Sequence, residues 1–142
     1  MRHTIIRGMA RNLGAAALLL ATFASPASTP AELQRAYAAE AASASPGFRG
    51  FSAERGRRFF TTAHGNDWRC ASCHTDTPTA EGRHAVTGRA LRPLAPAANP
   101  MRFTDAAKVE KWFRRNCSDV LGRECTAAEK ADVLAWLMGL KP

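Results

Sequence analysis

The stretch CASCH, Cys70 to His74, sets two thiols three positions apart with an imidazole directly after the second. Two thiols at that spacing can add across the two vinyl groups of one porphyrin. The imidazole that follows is then held under the iron as an axial ligand. This is the attachment pattern of c-type haem, and it assigns Cys70 and Cys73 to thioether bonds and His74 to the proximal position. Two other chemistries use the same residue types. A zinc site could combine Cys70, Cys73 and His74 with a later cysteine, but the seven residues between Cys117 and Cys125 match no usual knuckle. A thiol–disulfide CxxC would need a strand–helix–strand setting, and the sequence offers none. One covalent haem c is the cofactor expected.

The occupant of the sixth position decides what such an iron does. Beyond the leader the conventional candidates are Met101, Met138, His64 and His84. Met101, just before a helix start, is the best of these for a simple His/Met electron carrier. Met138 reads as packing in the last helix, His64 as a cap on the second helix, and His84 as a solvated loop residue. The unconventional candidate is Asn116. On a helix, Val109, Trp112, Phe113 and Asn116 fall at i, i+3, i+4 and i+7 on one stripe. A carboxamide there needs a reason, because a buried amide without partners costs about 2 kcal/mol or more. A bond to a neighbouring backbone carbonyl is one reason and iron ligation is another. Cys117 and Cys125 flank a short turn containing Gly122. In an oxidising compartment a disulfide there contributes roughly 2–3 kcal/mol and ties the helix end one residue after Asn116. Arg89, Arg92 and Arg102 are candidate partners for haem propionates, or surface charge.

The elements that must hold this chemistry are helices. Met1 to Leu13 carries three arginines and no acid, and a short, nearly uncharged run follows to Ala24. With small residues beyond it, this reads as a secretory signal peptide over 1–27; a retained anchor is the alternative. Residues 28–47 read as an N-terminal helix from Pro30 and a linker, and 48–142 as the haem domain. The remaining ~115 residues suffice for one core. Without the leader, 17 basic residues face 12 acidic ones, a surplus that suits an acidic protein face and does not demand nucleic acid. A second helix starts at Ser52 and runs to about Ala63. A Pro-, Thr- and Arg-rich loop covers 75–100, and a third helix opens at Thr104 and ends near Cys117. A fourth opens on the capping box Thr126-Ala-Ala-Glu129 and carries Val133, Leu134, Trp136, Leu137 and Leu140 on its apolar arc. Gly56, Phe60 and Trp136 suit a close helix crossing. No strand and no repeat is evident, so the expected fold is all-α, about four helices around the haem.

Several further stretches carry a resemblance. TGR from Thr87, PLAPAANP from Pro93, RFTD from Arg102, KVEKWFRRNC ending at Cys117, LGREC from Leu121 and EKADVLAW from Glu129 are similar to the oxygen-binding monohaem cytochromes c typified by sphaeroides haem protein. The similarity extends over nearly all of the chain beyond the leader. It implies a class I cytochrome c-like fold, His74 as proximal ligand, Asn116 as a distal ligand of ferric iron, and a Cys117–Cys125 disulfide. It further implies that Asn116 leaves on reduction, so that ferrous haem binds oxygen or nitric oxide. The partners implied are redox proteins, a dihaem cytochrome c with a membrane cytochrome b upstream, in the periplasm. An oxidoreductase turning over nitric oxide, oxygen or peroxide is the enzyme alternative; no distal acid–base pair is evident for it.

Overall fold

The computed structural model describes residues 28–142, so the expected leader over 1–27 lies outside the described residues. Helix α1 spans Pro30–Ala44. Thr29 opens it with a reciprocal cap: its hydroxyl accepts the Glu32 amide at 3.2 Å, and the Glu32 carboxylate accepts the Thr29 amide at 2.7 Å. Two amides that lack intrahelical partners are satisfied together. Helix α2, Ala53–Thr61, starts on the Ser52 cap as expected. Helix α3, Ala71–His74, is a single turn built from the CASCH stretch.

Strands β1, Gly82–Arg83, and β2, Ala90–Leu91, pair antiparallel with Gly82 opposite Leu91. They correct the expectation of no strand, although two residues apiece leave the all-α reading intact. Helix α4 is Ala106–Leu121 and helix α5 is Ala127–Gly139. The Thr126–Glu129 capping box opens α5.

Helix α5 is the centre of the molecule. Ala131, Val133, Leu134, Trp136 and Leu137 are all buried, and α1 and α2 both lie along it. From α1, Leu33 and Tyr37 enter the same core as Phe60 of α2. At the α2–α5 crossing a Cβ on Gly56 would collide with the Asp132 carbonyl and meet the Val133 amide nitrogen at 2.9 Å. Only glycine allows that approach. Phe60 fills the crossing against Trp136, ring centroids 4.8 Å apart. The helices are locked by the Asp132 carboxylate. It accepts the Ser52 amide and both the Nε and Nη2 of Arg55, at 2.6, 2.7 and 2.9 Å. The expected crossing of Gly56, Phe60 and Trp136 is the one observed.

Helix α4 departs from expectation in two ways. Its cap is Asp105, whose carboxylate accepts the Lys108 amide at 2.9 Å, rather than Thr104. It also continues past Cys117 to Leu121 and stops at Gly122, which takes the left-handed conformation at φ 71°. A non-glycine residue is strained there, so the stop falls where the backbone can reverse. At 3.6 residues per turn, Val109, Phe113, Cys117 and Val120 share an arc of about 80°, and all four are buried or part-buried, with Glu110 and Leu121 beside them. Trp112 and Asn116 lie at the edge of that arc and are exposed. The four-residue stripe therefore splits into an inward pair, Val109 and Phe113, and a flank pair, Trp112 and Asn116. Among the described residues no helix is long and apolar enough to cross a membrane.

Candidate haem-binding site

Helix α3 presents its reactive groups because it is one turn long. The His74 and Cys73 amides donate to the Cys70 carbonyl at 3.1 and 3.3 Å, and the Thr75 amide donates to Ala71 at 2.9 Å. Thr75, at φ 63°, then breaks the turn. Positions i, i+3 and i+4 of one turn share a face, so Cys70, Cys73 and His74 are gathered on one side. His74 lies 6.3 Å, centroid to centroid, from Phe60, which is only 1% exposed. The motif is thereby fixed to the helix crossing.

The electrostatics suit a ligand. Burial pulls the His74 imidazole down to about 4, with the nearby Arg102 charge acting the same way. The ring is neutral near pH 7 and can give a nitrogen lone pair to a metal. Burial pushes the Cys70 thiol up to about 11. A thiol–disulfide catalyst needs the opposite shift. Cys70 and Cys73 are free thiols, whereas Cys117 and Cys125 are bonded to each other with Cα atoms 5.6 Å apart. That pairing leaves no later cysteine to complete a zinc site with Cys70, Cys73 and His74.

A roof covers the turn. Gly82 on β1 sits so close to Cys73 that a Cβ would collide with the Cys73 carbonyl. The Ala85 amide approaches the Cys73 sulfur at 3.3 Å. His84 organises the connection between β1 and β2, its Nδ1 accepting the Val86 and Thr87 amides at 3.3 Å. His64 is engaged as well, its Nε2 donating to the Phe59 carbonyl at 2.8 Å. Farther on, Arg102 ties the proline-rich loop together. Its Nε donates to Pro93 at 2.9 Å and its Nη2 to Arg92 at 2.6 Å, and Asn99 reaches the same Pro93 carbonyl at 3.2 Å. Met101, its neighbour, is 79% exposed, and Met138 is half-buried on α5. Asn66 and Asn99 bond backbone carbonyls, whereas Asn116 stands exposed on α4.

Sequence reasoning missed two parts of this arrangement. Gly82 carried no signal beyond being a glycine in a loop. The link Tyr37–Glu110–Lys130 between α1, α4 and α5 did carry one, because Lys130 stands inside the apolar arc of α5 and a buried ammonium requires a partner.

Residues 46–137 match a family described as a domain of unknown function (DUF1924). Cytochrome c-type protein SHP of Cereibacter sphaeroides is 45% identical over 128 residues, spanning 84% of this chain and 94% of that protein. The solved structure of oxidised SHP, described as an oxygen binding cytochrome c, superposes with a TM-score of 0.71 at 42% identity, covering 82% of this chain and all of that one. Oxidised cytochrome c'' from Methylophilus methylotrophus gives 0.73 at 38% identity, over 80% and 95% of the two chains. A solution structure of the same cytochrome c'', concerned with haem-ligand detachment, gives 0.71. The chain belongs to this family of c-type cytochromes. Its cofactor is haem c, and the residues fit it: two free thiols and a neutral imidazole on one face of a single turn, backed by an aromatic core. The family's all-α fold is the one observed.

Proposed function

We propose that this cytochrome is an exported electron-accepting haem protein whose distal ligand, the Asn116 carboxamide, is released on reduction. Cys70 and Cys73 hold the cofactor, each S–H adding across one vinyl double bond, so attachment requires no oxidant. His74 ligates from the proximal side, its ring kept neutral by burial. The haem supplies one-electron chemistry and, when ferrous, a coordination position for a diatomic molecule such as oxygen or nitric oxide. A carboxamide oxygen is a hard, neutral, weak donor. Asn116 therefore suits ferric iron and holds ferrous iron poorly.

The observation that carries this reading is the setting of Asn116. It stands on the flank of α4, one residue before the Cys117–Cys125 bond. Its relatives add support: SHP is described as oxygen binding, and cytochrome c'' as detaching a haem ligand. A periplasmic location, with 1–27 removed, accords with a disulfide and a c-type haem. The electron donor is expected to be a redox protein, a dihaem cytochrome c fed by a membrane cytochrome b.

Asn116→Ala should retain covalent haem while its ferric spectrum turns high-spin or water-ligated. An unchanged ferric spectrum would return Asn116 to a packing role. Carbon monoxide should shift the ferrous wild-type spectrum, and a low-spin ferrous protein that ignores it would remove the opening site. A methionine–iron band that disappears in Met101→Ala would transfer the distal role to Met101.

A further inference from the structure

We propose that Glu110 is a positioning residue for the Asn116 ligand, acting through Lys130 of α5 and Tyr37 of α1. The proposal rests on the reading of Asn116 as the distal ligand.

Lys130 is 7% exposed. Its ammonium donates to Glu110 Oε1 at 2.7 Å and lies 5.1 Å from the centre of the Tyr37 ring. The Tyr37 hydroxyl donates to the other carboxylate oxygen, Oε2, at 3.0 Å. Each oxygen of Glu110 is thus held by a different helix. Two divergent bonds to one side chain fix rotation about the α4 axis as well as distance, which a single contact cannot do. Phe113, one turn onward, meets the Tyr37 ring edge-on with centroids 5.9 Å apart. Tyr37 therefore touches α4 at two successive turns.

Helix α4 needs such a device. While α1 and α2 lie along α5, α4 is held by side chains: Val109 and Phe113 against the core, the Cys117–Cys125 bond, and Asn66 donating to the Asp119 carbonyl at 2.9 Å. The last two fasten its C-terminal half. Glu110 fastens its N-terminal half, and Asn116 stands between. A helix with side chains has a radius of about 5–6 Å, so turning α4 by ~10° moves the carboxamide by about 1 Å. A shift of that size matters for a weak donor that must reach a fixed point.

The test compares variants in the haem-loaded protein. Glu110→Gln keeps the length and an acceptor but removes the charge. Tyr37→Phe removes one hydrogen bond and leaves the ring. Asp132→Asn disturbs the other interhelical ion pair, between α2 and α5, without touching α4. The readouts are the ferric low-spin to high-spin ratio, the reduction potential and the melting temperature. Glu110→Gln should lower that ratio by about two- to thirtyfold and raise the potential, because the ferric form loses its ligand. Tyr37→Phe should do the same to a smaller extent. Asp132→Asn should lower only the melting temperature.

If Glu110→Gln and Tyr37→Phe reduce melting temperature while leaving ratio and potential as in wild type, Glu110 is a structural pin and the proposal fails. An equal change of ratio in Asp132→Asn also overturns it. Should Glu110→Gln fail to fold, Tyr37→Phe decides. Failure of the underlying reading looks different: Asn116→Ala would then leave the ferric spectrum unchanged.

Discussion

Lys130 shows how a single residue can disclose an arrangement that periodicity hides. An ammonium inside an apolar arc must find a carboxylate, and the one it finds belongs to a helix distant in sequence. The Glu110 carboxyl is in turn held below the usual carboxylate range. Burial works in the opposite direction, but hydrogen bonds from Lys130 and Tyr37 outweigh it, with the charges of Lys130 and Arg114 adding. Glu129, bonded to Arg123 and to the Thr126 cap against the same burial effect, is lowered too. A carboxyl lowered on folding contributes stability above its unfolded value, and that contribution is lost as pH falls through the folded value. These two carboxyls should therefore lower the melting temperature as pH falls below about 4.5. Glu110→Gln should show a shallower acid slope in the same circular-dichroism melts. Cys70, Cys73 and His74 were legible as a candidate haem site because their spacing is itself the chemistry. Trp112 was not, because a four-position stripe cannot tell the middle of an apolar arc from its edge.

At the level of elements, the legible features were those written in local residue types. Thr126 with Glu129, Ser52 and the Gly56–Phe60 spacing all lie where the sequence places them. The end of α4 was misread by four residues. Ser118 and Asp119 look like loop residues, yet Val120 and Leu121 continue the inward arc, and the true stop is Gly122. The β1–β2 pair was invisible because two residues carry no alternation. The loop after it is ordered by Arg102 and Asn99 bonding backbone carbonyls, a pattern without a period. The α2–α5 crossing gives a sharp expectation. Gly56→Ala places a methyl group into the Asp132 carbonyl and should cost about 1–3 kcal/mol or more as the helices part. Denaturant titration of the haem-loaded protein would measure it; a loss below ~0.5 kcal/mol would mean that the crossing relaxes freely.

For the whole molecule, one core centred on α5 serves both fold and site. Phe60 fills the α2–α5 crossing and lies beside His74, so one buried ring serves both the crossing and the CASCH turn. Helix α4 is held differently, through side-chain ties and one covalent bond. Replacing Cys117 and Cys125 by serine should destabilise the protein by about 2.5 kcal/mol, the chain-entropy value for so short a loop. It should leave covalent haem in place. Equal melting curves for wild type and double variant under non-reducing conditions would show that the bond contributes nothing to the folded state.

The same bond bears on how the chain matures. Of the four cysteines, only Cys70 and Cys73 are free to meet a porphyrin. Cys117 and Cys125 are eight residues apart, so their encounter has a low closure entropy. Before haem is attached, the Cys70 sulfur, whose proton burial retains, is a slow participant in exchange, since exchange proceeds through the ionised form. The bond thus withdraws Cys117 and Cys125 from competition and leaves the CASCH sulfurs without a distant thiol to mispair with.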